Sequence, residues 1–116
     1  MTKTSAIDFI GKAVDVVIDR PLGSRHPEHD TIYEVNYGFV PQTISGDGEE
    51  LDAYILNLDK PAEKISGKVI AVIQRLDDDD DKLIISANGQ DISDEDIRKM
   101  VNFQEKYFKY IIKRGE

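Results

Sequence analysis

Residues 36–52 constrain the fold of this chain most, because they join a turn predicted at Gly38 to an acidic loop and then to an apolar strand. The loop reads Asp-Gly-Glu-Glu-Leu-Asp from Asp47 to Asp52, and its glycines allow the backbone to bend tightly. Carboxylates on one bend repel one another unless solvent or a cation separates them. The loop therefore predicts either a solvated turn, which is the commoner case, or an oxygen-ligand site for Mg²⁺ or Mn²⁺.

A second acidic cluster, the five aspartates of residues 77–81, stands directly before Lys82. One interpretation is a charged turn that keeps a sheet edge soluble, with Arg75 neutralising part of the charge. The run lies between two apolar segments, however, so the fold holds both of its ends. If the backbone at the end of this aspartate run is extended, the side chains of Asp80 and Lys82 point to the same side. Two carboxylate clusters, together with phenols, arginines and lysines, favour phosphoryl chemistry.

The pattern of apolar residues predicts five short strands followed by one long helix. The strands are predicted at residues 14–19, 31–37, 53–58, 67–74 and 83–86. Ser93 is a predicted N-cap, and Ile92 and Ile97 are predicted to form a hydrophobic staple. The helix is predicted to run towards Gly115, with Gln104 interrupting its apolar stripe. This order favours a mainly β fold, a small closed or partly open OB-like barrel packed against a C-terminal helix.

Length and charge narrow the class of protein. A chain of 116 residues predicts one domain, residues 1–116. The net charge of −8 argues against binding to nucleic acids or anionic membranes, but not against an anionic substrate, because bound metal ions reverse the local sign. The absence of cysteine excludes thiol catalysis and thiolate zinc sites. Because neither a membrane span nor the apolar core of a signal peptide is found, we expect a cytoplasmic protein.

Three segments resemble the soluble family I inorganic pyrophosphatases and stand in the order typical of that family. They are Tyr33-x-x-Asn36-Tyr37-Gly38-Phe39, residues 47–52 and residues 77–82. The family signature has the form Asp-Gly-Asp-Pro-Leu-Asp; here Glu49 stands in its third position and Glu50 replaces the usual proline. The resemblance covers residues 14–112 and implies a minimal pyrophosphatase-type barrel. The implied activity is hydrolysis of pyrophosphate to two phosphates, with Mg²⁺ or Mn²⁺ as cofactor.

The resemblance implies roles for the acidic residues. The implied metal ligands are Asp47, Asp52, Asp77 and Asp80. Asp52 would bridge two ions, and Asp81 is a neighbour that could substitute as a ligand. Glu49 takes the place of the acid that orients or deprotonates the attacking water, so the implied catalytic residues are Glu49 and Asp52. The extra methylene of Glu49 moves its carboxylate by about one bond, and a misplacement of ~1 Å can cost about a hundredfold in rate.

The resemblance also implies which side chains bind phosphate. They are Arg25, Tyr37, Lys82, Tyr107 and Lys109. Arg25 is assigned because its spacing from Tyr33 matches the family. Tyr107 and Lys109 are assigned because they match loosely a Tyr–Lys pair on the family's C-terminal helix. Asp19 resembles an acidic position of the first strand that supports the site.

One departure from the family concerns the segment that follows the first strand. The family has a strand pair there that carries a lysine and a glutamate, and residues 20–27 replace it. Arg20, Arg25 and His26 could supply the lost positive charge.

The sequence leaves two other functions open. The first is a module that binds Mg²⁺ with pyrophosphate or a nucleotide but turns over poorly, which Glu49 and the missing strand pair motivate. The second is hydrolysis of another phosphoanhydride, such as a nucleoside triphosphate, which would need a base-binding slot. The aromatic face of the helix, with Tyr107 and Tyr110, also leaves a homo-oligomer open.

Overall fold

The computed structural model describes residues 6–26, 30–43, 48–77 and 81–115. Their elements are a 3₁₀ helix (Ala6–Phe9), β1 (Ala13–Arg20), β2 (Asn36–Val40), β3 (Leu51–Leu56), β4 (Lys64–Arg75), β5 (Lys82–Ser86), α1 (Asp94–Glu105) and β6 (Tyr110–Lys113). The predicted mainly β class is confirmed. Four of the five predicted strands overlap β1, β3, β4 and β5 closely, and the fifth is displaced.

Five of the strands close into a barrel. The sheet order is β1-β2-β3-β5-β4-β6, and β1 pairs additionally with β4, which closes the ring. The first part of β1, up to Val17, pairs with the start of β4, whereas its end pairs with β2. The β3–β5 pairing is parallel and sets Asp52 beside Lys82, while the other pairings are antiparallel. The predicted OB-like barrel is therefore confirmed, with β6 added beside β4.

Strands β3 and β5 are buried on both faces, so they are apolar nearly throughout rather than alternating. Ile55 and Ile85 belong to a cluster that fills the barrel. Their neighbours Tyr54 and Ile84 belong to a second cluster, which also contains Ile97 of α1. The chain thus has one core inside the barrel and another between the barrel and the helix.

The start of α1 follows the prediction. The hydroxyl of Ser93 accepts a hydrogen bond from the backbone N–H of Asp96 at 3.2 Å. Ile92 and Ile97 are both buried in the cluster under the helix, as a hydrophobic staple requires. Within the described residues, no helix combines the length and the apolar character that crossing a bilayer requires.

The predicted extension of the helix towards Gly115 is wrong. The helix ends at Glu105, and residues 110–113 form β6, which pairs with the end of β4. Aromatic and β-branched residues in this segment suit a strand, and periodicity alone cannot distinguish helix from strand over so short a run.

The strand predicted at residues 31–37 is displaced. Strand β2 begins only at Asn36, while residues 31–33 pair locally with residues 23–26. Tyr33, Val35 and Tyr37 are buried although Ile32 is exposed, and burial is the property that the sequence pattern detects.

Gly38 lies inside β2, not in the predicted turn. A Cβ atom at this position would lie 2.0 Å from the carbonyl oxygen of Val17 and 2.8 Å from the Cα of Ile18. Both atoms belong to the backbone of β1, so no change of rotamer could relieve the clash. Glycine is therefore required here because β1 and β2 approach closely, next to the irregular register between Ile18 and Arg20.

We expect Gly38→Ala to lower the free energy of unfolding by about 3 kcal/mol or more, because backbone atoms would have to move. Gly89→Ala is the matched control. Gly89 has φ +76° and no atom near the added methyl group, so only backbone strain of about 1 kcal/mol is expected. Urea unfolding followed by circular dichroism measures both values. Equal losses would show that β1 moves away from β2 at little cost.

Candidate functional site

An open cleft of about 1120 Å³ lies between one end of the barrel and the C-terminal end of α1. Acidic, basic and aromatic side chains meet in it. Its described lining on the barrel side includes Asp19, Arg20, Tyr33, Tyr37, Asp52, Arg75 and Lys82, and on the helix side Phe103, Gln104, Lys106, Tyr107 and Phe108. The cleft is therefore suited to a charged ligand.

Lys82 joins two other predicted site residues. Its ammonium donates to Asp52 Oδ2 at 2.6 Å and to the hydroxyl oxygen of Tyr37 at 2.8 Å. The side chain of Lys82 is only 3% exposed, whereas that of Asp52 is 30% exposed and can be reached from the cleft. The parallel register of β3 and β5 makes the two residues direct neighbours. The structure thus brings together Asp52, Tyr37 and Lys82, three of the predicted site residues.

Tyr37 belongs to both the core and the cleft. Its ring centroid lies 5.4 Å from that of Tyr33 and 5.0 Å from that of Tyr54. These contacts fix the ring, while the hydroxyl group is held by Lys82. The aromatic body is thus a packing element, and its polar end is part of the site.

Asp19 and Asp52 are carboxylates that both line the cleft. Desolvation raises the pKa of Asp19, although its side chain is exposed. The charge of Arg20 and a backbone hydrogen bond lower this pKa, and the charge of Asp52 raises it further. Asp19, which the sequence assigned only to a supporting position, therefore lines the cleft itself.

This carboxylate pair matches a hard divalent cation in donor type, since Mg²⁺ and Mn²⁺ prefer oxygen ligands. In the described part of the chain, no group of three or more His, Cys, Asp or Glu residues is arranged to hold a metal ion. Two of the predicted ligands, Asp47 and Asp80, lie outside the described residues. The described carboxylates thus supply only part of a ligand set.

Asp77, another predicted ligand, lies just beyond β4 and is exposed. Its Oδ2 accepts a hydrogen bond from the backbone N–H of Lys109 at 3.4 Å. This contact ties the end of β4 to the segment that leads into β6. Asp77 and Lys109 both stand outside the lining of the cleft.

Among the remaining predicted residues, Tyr107 lines the cleft and is 68% exposed. Arg25 is exposed and pairs with Asp30 at 3.0 Å. Glu49 is also exposed, at the entrance to β3. Neither Arg25 nor Glu49 is among the residues that line the cleft.

A buried hydrogen-bonded network behind the cleft was missed by the sequence reasoning. Glu105, with 0% exposure, accepts hydrogen bonds from Arg75 Nε at 3.0 Å, from Arg75 Nη2 at 2.7 Å and from the hydroxyl of Tyr54 at 2.6 Å. Gln104 Nε2 donates to the Tyr54 oxygen at 2.6 Å, and Gln104 Oε1 accepts from the hydroxyl of Tyr33 at 2.9 Å. The network therefore joins the end of α1 to the aromatic wall of the cleft.

One sequence signal pointed towards this network. Gln104 interrupts the apolar stripe of the helix, which is costly unless the amide is hydrogen-bonded. Arg75 was interpreted as a partner for the aspartates that follow it, but its guanidinium makes a bidentate pair with Glu105 and lies 3.6 Å from the ring centroid of Phe108. The pairing could not be read from sequence because thirty positions separate Arg75 from Glu105.

The fold and the cleft define a class, namely small OB-type barrels that carry carboxylates, a lysine and a phenol at one end. Within that class the family is shown by sequence, because the model of the family described as inorganic pyrophosphatase matches residues 14–113. The chain belongs to the inorganic pyrophosphatase family.

Individual relatives agree with this assignment. The chain is 31% identical over 97 residues to an inorganic pyrophosphatase of Neisseria meningitidis, covering 66% of this chain and 55% of that protein. It is 44% identical over 71 residues to soluble inorganic pyrophosphatase 2 of Chlamydomonas reinhardtii, covering 58% and 34%. The chain thus spans about a third to a half of the length of these relatives.

Solved structures show the same fold. The inorganic pyrophosphatase of Helicobacter pylori has a TM-score of 0.67 at 20% identity, covering 98% of this chain and 89% of that one. The enzyme of Neisseria gonorrhoeae has a TM-score of 0.64 at 22% identity, covering 100% and 86%.

The buried Arg75–Glu105 pair predicts strong coupling. Glu105→Gln leaves a buried guanidinium without its counter-charge, and Arg75→Met leaves a buried carboxylate, so each should lower the free energy of unfolding by about 3–5 kcal/mol. The double variant should lose clearly less than the sum of the two. Urea unfolding of all four proteins gives the coupling energy, and additive losses would contradict the pairing.

Tyr54 predicts a loss of stability at high pH. Burial raises the pKa of Tyr54 well above 10.0, and the neighbouring charge of Glu105 acts in the same direction. The unfolded chain releases this proton near pH 10 while the native state keeps it, so stability falls as the pH rises above 10. Tyr54→Phe should show a shallower fall in the free energy of unfolding there. Tyrosinate absorbance from Tyr54 near pH 10 in the still folded wild type would contradict this prediction.

Proposed function

We propose that this chain hydrolyses inorganic pyrophosphate to two phosphates in the cleft, with Mg²⁺ as the cofactor. The observation that carries the proposal is the contact of Lys82 with Asp52 and Tyr37, in a chain of the inorganic pyrophosphatase family. Ammonium and phenol groups are suitable partners for phosphate oxygens. The names of the relatives state this activity for those proteins, and we extend it to this chain.

In the proposed reaction, a water oxygen attacks one phosphorus atom, the bridging P–O bond breaks and the water proton passes to a carboxylate. Lys82 and Tyr37 bind phosphate oxygens and offset the charge that develops on the leaving phosphate. By resemblance, Glu49 is the candidate for the carboxylate that accepts this proton.

The metal ligands in this proposal are Asp19 and Asp52 in the cleft and, by resemblance, Asp47, Asp77 and Asp80. Of these last three, Asp77 lies outside the lining of the cleft, and Asp47 and Asp80 lie outside the described residues. A bound divalent ion lowers the pKa of a coordinated water and neutralises phosphate charge. The oxygen-only donors support Mg²⁺ or Mn²⁺ over softer-ligand metals. A cytoplasmic location and self-association stay predictions from the sequence.

A second candidate function is binding of pyrophosphate or a nucleotide without turnover. It is favoured by the 2.6 Å contact between Lys82 and Asp52, which already offsets one carboxylate charge within the protein. Calorimetric binding of pyrophosphate without phosphate release would support this candidate over hydrolysis.

The proposed hydrolysis predicts metal-dependent release of phosphate from pyrophosphate. We expect turnover with Mg²⁺, its loss with a chelator, and a fall on the order of a hundredfold or more in Asp52→Asn, because a charged group at the reacting centre is removed. The colorimetric assay for phosphate measures all three.

Asp59→Asn makes the same chemical change at an exposed position outside the cleft lining and should keep the wild-type rate. If wild type releases no phosphate with Mg²⁺ or Mn²⁺, the proposed activity is wrong. If Asp52→Asn keeps full activity, hydrolysis stands but the assignment of Asp52 does not.

A further inference from the structure

Arg20 is a cation of the cleft to which the family resemblance assigns no role. It is the last residue of β1 and lies directly opposite Tyr37 on β2. Opposed residues of an antiparallel pair project from the same face, so Arg20 projects on the side of Tyr37. The register is irregular between Ile18 and Arg20. Such a bulge re-aims side chains, and both Asp19 and Arg20 line the cleft although they are adjacent.

Tyr33 stands beside Arg20 in the cleft. Both residues line it, and the ring of Tyr33 packs on Tyr37, the residue opposite Arg20. Burial raises the pKa of Tyr33, whereas the nearby charge of Arg20 lowers this pKa. The hydroxyl of Tyr33 donates to Gln104 Oε1, so its oxygen can accept a hydrogen bond from a donor in the cleft.

Tyr33 is itself fixed by the buried network. The hydrogen bonds run in one direction, from Tyr33 to Gln104, from Gln104 to Tyr54 and from Tyr54 to the carboxylate of Glu105. Arg75 balances the charge of the Glu105 carboxylate, so every side chain of the network has a hydrogen-bond partner.

Arg20 keeps donors for a ligand. Its Nη1 donates to the backbone oxygen of Asp19 at 3.1 Å. A guanidinium has five N–H donors, so donors remain beyond this contact. Their planar fork suits phosphate oxygens.

Arg25, the guanidinium that the resemblance selects, is placed differently. Its side chain is 65% exposed and pairs with Asp30, and it is not among the described residues that line the cleft. Arg20 is therefore the better placed of the two for a ligand in the cleft.

We propose that Arg20 binds a phosphate group of the diphosphate substrate, opposite Lys82, and that Tyr33 and Gln104 are positioning residues that hold it. This inference rests on the proposed function for the identity of the ligand. It replaces Arg25 in the role that sequence spacing assigned.

The test is calorimetric binding of methylenediphosphonate, a bisphosphonate that cannot be hydrolysed at its bridge, with Mg²⁺ present. Arg20→Gln should raise the Kd about 10- to 100-fold, because charge-assisted hydrogen bonds are lost. Lys12→Gln is the control, since it removes one positive charge at the opposite end of β1, where the side chain is exposed.

Tyr33→Phe tests positioning, because it keeps the ring and removes only the hydroxyl. We expect the Kd to rise about 3- to 10-fold in the wild-type background and not to change in the Arg20→Gln background. A purely structural role would weaken binding equally in both backgrounds. Thermal unfolding confirms that each variant is folded.

An effect of Arg25→Gln as large as that of Arg20→Gln would return the role to Arg25 and overturn the proposal. So would an unchanged Kd in folded Arg20→Gln, or a wild type that does not bind the bisphosphonate. If wild type binds it with the expected dependence on Arg20 but releases no phosphate from pyrophosphate, the assignment of Arg20 holds and the proposed hydrolysis fails.

Discussion

The carboxylate of Glu105 sets the constraint on which the rest of the site depends. A charge without exposed surface is tolerated only with a full set of donors, and these come from Arg75 on β4 and Tyr54 on β3. The end of α1 is thereby fixed over two strands of the barrel. Gln104, one residue earlier, extends the same network to Tyr33. The helix thus organises the aromatic wall of the cleft through polar groups as well as apolar packing.

In the sequence, the clustered carboxylates suggested that a bound cation offsets their repulsion. In the structure, the protein itself offsets part of it. Lys82 places its ammonium 2.6 Å from Asp52, so one negative charge is offset without a metal. Asp19 has a different electrostatic environment, since burial and the charge of Asp52 both raise the pKa of Asp19. The two carboxylates of the cleft therefore differ in character: one is paired with a lysine, and the pKa of the other is raised.

The sequence predicted the barrel and the elements that carry Tyr37, Asp52 and Lys82 better than it predicted other contacts. Tyr37, Asp52 and Lys82 could be selected because each stands in a recognisable motif, and the strands that carry them are strongly apolar. Arg25 was selected by spacing, which cannot show that the side chain pairs with Asp30. Gly38 was interpreted as a turn because glycine serves both turns and close strand approach, and only the position of Val17 distinguishes the two. The Arg75–Glu105 pair had no local signal at all, since long-range ion pairs leave no periodicity.

The parallel pairing of β3 with β5 has a consequence for how the pocket comes into being. Asp52 and Lys82 are thirty positions apart, and the whole of β4 lies between them in the sequence. Parallel strands cannot be joined by a tight hairpin, so the two side chains meet only when the β4–β5 hairpin docks against β3. Such a non-local step is slow compared with local hairpin formation. A folding chain whose barrel has not yet closed therefore has no anion pocket. A bound phosphate stabilises only the closed barrel.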